Sequence, residues 1–135
     1  MTDIGASLLL ESFKEFKKIQ SHRRKIFNTY KKFLKLNKKI HIVDEKGDKE
    51  HANWLFTIIL DKKDFLQKKL RSKQVESNQV HFRNDRYSIF KKFVRNKKFK
   101  FMNEIENKYL VLPIHTKMKI FDAKRISLLI NRFIR

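Results

Sequence analysis

One short segment of the 135-residue chain stands apart for its chemistry: Val80-His-Phe-Arg-Asn-Asp-Arg-Tyr-Ser-Ile-Phe90. It places His81, Arg83, Asn84, Asp85, Arg86 and Tyr87 within seven residues, directly after a stretch with strand character. Guanidinium groups offer planar forks for a phosphate or carboxylate, and an imidazole exchanges protons near neutral pH. The same residues also suit a plain solvated turn, with Asp85 capping a helix that starts at Ser88 or pairing with an arginine. Spacing alone leaves both readings open.

Several other chemistries are excluded. The five histidines (His22, His41, His51, His81 and His115) form no i, i+4 pair and show no metal-ligand spacing, so no metal site is expected. The absence of cysteine removes thiolate ligands, thiol nucleophiles and disulfides together. Gly5 and Gly47 are the two glycines, too few for a phosphate-cradling loop, and no serine elbow accompanies a histidine. No residue is assigned a catalytic or cofactor-binding role from composition, which describes a chain that is not an enzyme by itself.

The elements that must position this segment follow from hydrophobic periodicity. Residues 2 to 36 read as one long helix, capped by Thr2 or Asp3, with Leu9, Phe13, Phe16, Phe27, Tyr30 and Leu34 recurring at three- and four-residue steps. Residues 39–43 alternate like a short strand, and 44–48 read as a polar turn with Gly47 available for a positive φ. The apolar, β-branched run 53–60 predicts a central strand, and Asp61 and Asp64 open a helix to about Lys73. A third strand is expected over Glu76–Phe82, a helix over Ser88–Asn96 and a short helix over Phe101–Asn107. Tyr109–Pro113 reads as a last strand, followed by a terminal amphipathic helix through Ile126, Leu129, Ile130 and Phe133. The fold class is α/β (α+β): a long N-terminal helix, a small sheet of three to four strands with covering helices, and a terminal helix.

Composition also bounds the partners. With 34 Lys+Arg against 14 Asp+Glu the formal net charge is +20, which attracts polyanions in a salt-dependent way. The excess is spread over the chain, and the abundance of Lys, Asn, Ile and Phe is what AT-rich codons supply. A specific nucleic-acid partner is therefore not expected. The longest apolar runs fall far short of a membrane span and no signal-peptide pattern opens the chain, so the expected setting is cytoplasmic, without a membrane partner.

Three segments, in order, resemble the C-terminal part of the DegT/DnrJ/StrS family of pyridoxal-phosphate-dependent sugar aminotransferases. They are MTDIGASLLLESFKEFKKIQSHRRKIFNTY, SNQVHFRNDRYSIF and YLVLPIHTKMKIFDAKRISLLINRFI; NWLFTIIL, between the first two, is similar to the family's small-domain strand. The resemblance implies one domain, with an inter-domain type of helix over residues 1–36 and a small α/β domain over 37–135. In the family a large domain holds pyridoxal phosphate on a Schiff-base lysine, and the small domain closes over the substrate. None of the 25 lysines here takes that role by position, so the cofactor is implied for the complete enzyme and not for this chain alone. His81, Arg83, Asn84 and Tyr87 are the substrate-side candidates that the resemblance implies, toward a keto-sugar attached to a nucleotide.

The expected function is a C-terminal fragment or split subunit of a nucleotide-sugar aminotransferase, inactive alone. Its partner would be a separately encoded large domain or an intact aminotransferase. The alternatives are a basic polyanion- or nucleic-acid-binding module and a noncatalytic subunit of an intact enzyme. Leu9 stands where the family generally has a small residue, usually glycine, and Ser12 where it often has glutamine. With Leu8, Leu10, Phe13 and Phe16, Leu9 makes an apolar stripe expected to pair with another chain, including self-association.

Overall fold

A computed structural model describes residues 2–44, 47–48, 50–95 and 97–135. The chain opens with helix α1 (Asp3–Leu34), and the Thr2 hydroxyl accepts from the Gly5 N–H at 3.2 Å, which satisfies one of the free donors of the first turn. Strands β1 (His41–Ile42) and β2 (Phe56–Ile59) follow, then helix α2 (Lys63–Arg71). A long excursion carries two 3₁₀ turns, Asn84–Arg86 and Ser88–Phe90, and the short helices α3 (Lys91–Val94) and α4 (Lys100–Ile105). Strand β3 (Tyr109–Leu112) and helix α5 (Ile120–Phe133) complete the described fold.

The strands form an antiparallel sheet in the order β1-β2-β3, with β2 central and Phe56 opposite Leu112, Ile58 opposite Leu110. Alternation along β2 buries Phe56 and Ile58 on one face and turns Thr57 and Ile59 to the other. Helices α1, α2 and α5 cover the first face. There Phe27 meets Phe56 edge-on at 4.8 Å, and the Tyr30 ring lies 4.8 Å from the same phenylalanine. Ile26, Tyr30, Leu34, Leu66, Leu70 and Ile130 are completely buried in this core.

Polar bonds fix the long helix onto the rest. Tyr30 donates to the Pro113 carbonyl at 3.0 Å, and His22 Nε2 lies 2.8 Å from the Met118 carbonyl oxygen. Asn37 donates to Asn131 and to the Ile134 carbonyl, while Asn131 donates back to the Phe33 carbonyl at 2.8 Å. These bonds clamp the end of α1 to the end of α5.

Three local expectations change. The strand expected over Glu76–Phe82 contracts to a single bridge, Asn78 with Val111, because the chain leaves the sheet immediately to enter the excursion. The helix expected from Ser88 breaks into a 3₁₀ turn and one turn of α3, with Ile89, Phe90 and Phe93 exposed; no sheet lies beneath them to reward a continuous amphipathic helix. Its expected end at Asn96, with Glu45 and Lys46 of the expected 44–48 turn, lies outside the described residues. Gly47 does not use a positive φ; Asn53 (φ 52°) and Gln74 (φ 58°) do. The Asn53 conformation is held by its N–H donating to His51 Nδ1 and its side-chain amide donating to the His51 carbonyl, both at 2.8 Å.

The expected stripe of α1 divides at its midpoint. Phe27, Tyr30 and Leu34 are buried, whereas Leu9, Phe13 and Phe16 stand in solvent with Leu8 and Leu10. The C-terminal half of the helix is core, and the N-terminal half has no cover among the described residues.

Candidate functional site

The segment from Gln79 to Tyr109 leaves the sheet and returns to it, and side chains close its neck. Gln79 donates to the Glu106 carbonyl at 2.9 Å, and Tyr109 Oη donates to the His81 carbonyl at 2.5 Å. Between these ties sits Arg83, whose side chain is 3% exposed. Its Nε and Nη2 fork onto the two Asp85 carboxylate oxygens at 2.8 and 2.6 Å. Its Nη1 donates to Asn103 Oδ1 at 2.6 Å and to Glu106 Oε2 at 3.0 Å. Arg86 reaches the same Glu106 oxygen from outside at 3.0 Å.

A bidentate arginine–carboxylate pair fixes orientation as well as distance. The electrostatic consequences agree with the geometry. The hydrogen bond to Asp85 raises the Arg83 pKa above its ordinary value, and that same bond holds the Asp85 carboxyl below the usual carboxylate range. Glu106 is lowered too, first by its hydrogen bond from Arg86 and further by the charge of Arg83. Across neutral pH the network therefore stays fully charged.

With Arg83 held inward, its neighbours turn out. His81 is exposed, and its ring lies 5.9 Å from the Trp54 ring. Asn84 is exposed and begins the 3₁₀ turn, its carbonyl accepting from the Tyr87 N–H at 3.2 Å. Tyr87 is half-exposed and meets Phe82 edge-on at 5.2 Å. His81, Phe82, Arg83 and Asn84 line one side of a cleft of about 460 Å³; Thr57, Ile59 and Tyr109 of the outer sheet face, with Met102 and Ile105 of α4, line the other.

Three of the four expected site residues thus present free side-chain surface on one loop, and the fourth forms its internal frame. Tyr87 reaches the cleft only through Phe82. The readings left open for Asp85 resolve to pairing with an arginine, namely Arg83. Asn103 and Glu106 were not singled out from the sequence. One signal for them exists: no acid occurs between Asp85 and Glu104, so a buried arginine in this stretch has to find its second carboxylate just beyond that gap.

The residues that line this cleft do not fit a covalently held pyridoxal phosphate. No lysine lines the cleft. Lys63, the buried lysine among the described residues, directs its Nζ to Asp64 at 3.1 Å on α2. No group of three or more His, Asp or Glu side chains suited to a metal ion occurs among the described residues.

Comparison with known proteins places this geometry in context. The DegT/DnrJ/EryC1/StrS aminotransferase family matches residues 1–130. No curated protein sequence matches the chain. Among solved structures, AtS13 from Actinomadura melliaura superposes with a TM-score of 0.89 at 17% identity, over 98% of this chain and 35% of its own. DesV from S. venezuelae, solved in complex with a ketimine intermediate, gives 0.86 at 15% identity, over 96% of this chain and 36% of its own. The sugar aminotransferase CalS13 from Micromonospora echinospora gives 0.82 at 15% identity, over 91% and 33% respectively. At these identities the likeness is one of fold, and the chain spans about a third of the length of each structure.

Proposed function

The chain belongs to the DegT/DnrJ/EryC1/StrS aminotransferase family, and from that membership we propose that it is the small-domain piece of a sugar aminotransferase, working only when a cofactor domain completes the site. The observation that carries this reading is one of extent: 98% of the chain superposes on AtS13, yet it accounts for 35% of that molecule. Amino transfer to a nucleotide-linked keto-sugar, with pyridoxal phosphate supplying the electron sink, belongs to the completed enzyme. The part of this chain is to bind and orient.

In this reading His81, Asn84 and Tyr87 face the sugar nucleotide, offering an imidazole, an amide and a phenol for hydrogen bonds to hydroxyl and phosphate oxygens. Arg83 lines the same cleft on the substrate side and also holds the loop, because its guanidinium donates to Asp85, Asn103 and Glu106. The partner is a separately supplied large domain or an intact aminotransferase, in the cytoplasmic setting that the sequence suggests. No helix among the described residues is long and apolar enough to cross a membrane.

The test is hydrogen exchange on this chain mixed with a family cofactor domain, with and without a nucleotide-linked keto-sugar. Slowed exchange over residues 81–87 on adding the sugar nucleotide supports the assignment. Exchange there that ignores the ligand, in a complex shown to form, overturns it.

A further inference from the structure

Residues 88–101 read Ser-Ile-Phe-Lys-Lys-Phe-Val-Arg-Asn-Lys-Lys-Phe-Lys-Phe, six cations interleaved with apolar side chains and no acid. In the structure the described residues of this stretch form the far end of the excursion whose neck is closed by Arg83, Gln79 and Tyr109. Ile89 (72%), Phe93 (62%) and Phe101 (78%) are largely exposed, and Phe90 is partly so. Lys91, Lys92, Arg95, Lys97, Lys98 and Lys100 are all exposed, and the ion pairs of the described residues include none of them. Lys92 instead lies over the ring of its neighbour Phe93, 4.9 Å from the centroid.

This is an expensive surface to leave in water. Large apolar side chains gain by leaving water, while an ammonium group gains only beside an opposite charge. The interface of an anionic bilayer serves both at a single depth, where rings enter the acyl boundary and lysines meet lipid phosphates. We propose that the 88–101 excursion docks this chain onto anionic lipid surfaces. Charge and shape together select this occupant. Five of the six cations are lysines, point charges for headgroup phosphates that lack the planar fork used to read bases. Ile89 has no π-face to stack on a base, but it partitions into acyl chains as readily as phenylalanine. Ile89, Phe93 and Phe101 lie outside the buried core, so docking requires no opening of it.

Surface docking of this kind departs from the expectation of no membrane partner, needs no membrane-spanning helix, and does not depend on the aminotransferase reading. Because a chain of net charge +20 meets any anionic surface with some affinity, the test has to be local. Co-sedimentation with phosphatidylcholine vesicles, and with vesicles carrying about one-third phosphatidylglycerol, gives the baseline. Lys97→Gln with Lys98→Gln is expected to weaken partitioning to the anionic vesicles by about tenfold or more, at roughly 1 kcal/mol for each cation near the surface. Lys38→Gln with Lys68→Gln, the same charge change at exposed sites elsewhere, is expected to weaken it far less. Phe93→Ser with Phe101→Ser should abolish the binding that survives added salt. Phe93→Trp should shift its emission to the blue on anionic vesicles only. Circular dichroism checks that each variant keeps the fold. Equal losses from the two lysine pairs, or no blue shift at position 93, overturn the proposal. A Phe93→Trp signal that responds to single-stranded RNA and not to vesicles overturns it in favour of nucleic acid.

Discussion

Arg83 and Glu106 stand 23 residues apart in sequence and 3.0 Å apart in space, and that contact makes a frame out of an excursion. The guanidinium brings the start of the loop to its end and ties both to Asp85, so the outward direction of His81, Asn84 and Tyr87 depends on one buried side chain.

Arg83→Met removes the fork and leaves Asp85, Asn103 and Glu106 without their central donor. The expected result is faster hydrogen exchange across residues 84–106 and a lower unfolding temperature, with the β2–β3 pairing preserved. Arg83→Lys should recover only part of the protection, because an ammonium cannot make the bidentate pair. Unchanged exchange in Arg83→Met would show that the neck is closed by Gln79 and Tyr109 alone.

The same network sets a pH dependence. Asp85 and Glu106 have pKa values below their ordinary 3.8 and 4.5, so the unfolded chain takes up their protons first as pH falls. Their stabilisation is complete above the ordinary carboxylate range and is lost as pH drops through and below it. Melting curves should therefore show the gap between wild type and Arg83→Met constant at neutral pH and closing in acid. A gap that persists after both carboxylates are protonated would assign the stability to packing.

Tyr30→Phe deletes the bond to the Pro113 carbonyl while keeping the ring against Phe56. A loss of about 1–2 kcal/mol is expected from denaturant titration, the cost of leaving a carbonyl partner unmatched. Burial raises the Tyr30 pKa far above its ordinary 10.0, so the native phenol stays protonated where an exposed tyrosine ionises. The stability it contributes is full below pH 10.0 and falls as pH rises beyond it. Phenolate absorbance from Tyr30 should appear only with unfolding.

Leu9→Lys with Phe13→Lys changes two side chains that are 48% and 59% exposed. Helicity and unfolding temperature should stay close to wild type, while self-association measured by analytical ultracentrifugation falls. A wild-type chain that sediments as a compact monomer at all concentrations would remove the case for a docking face on the first turns of α1.

The sequence showed these features unevenly, for physical reasons. Phe27, Tyr30 and Leu34 keep helical spacing because they meet a sheet, and β2 was legible from its β-branched run. Leu9, Phe13 and Phe16 continue the same spacing without a core to meet, so periodicity alone could not say where burial stops. The excursion was the least legible part, because its order comes from Arg83 meeting Asn103 and Glu106 across the chain, with local propensity contributing little. The chemical character of residues 81–87 was visible at once. Which of those side chains faces outward became visible only with the fold.

The central claim is that this chain supplies the small-domain part of a sugar aminotransferase site that a cofactor domain completes. Its most direct test is amino transfer from an amino acid to a nucleotide-linked keto-sugar. The assay compares the chain alone, a family cofactor domain alone, and the two mixed. The account predicts no turnover from either part and turnover from the mixture, reduced when Asn84 or Tyr87 is replaced by alanine. Turnover by this chain alone, or a mixture that forms a complex and stays inactive, would contradict it.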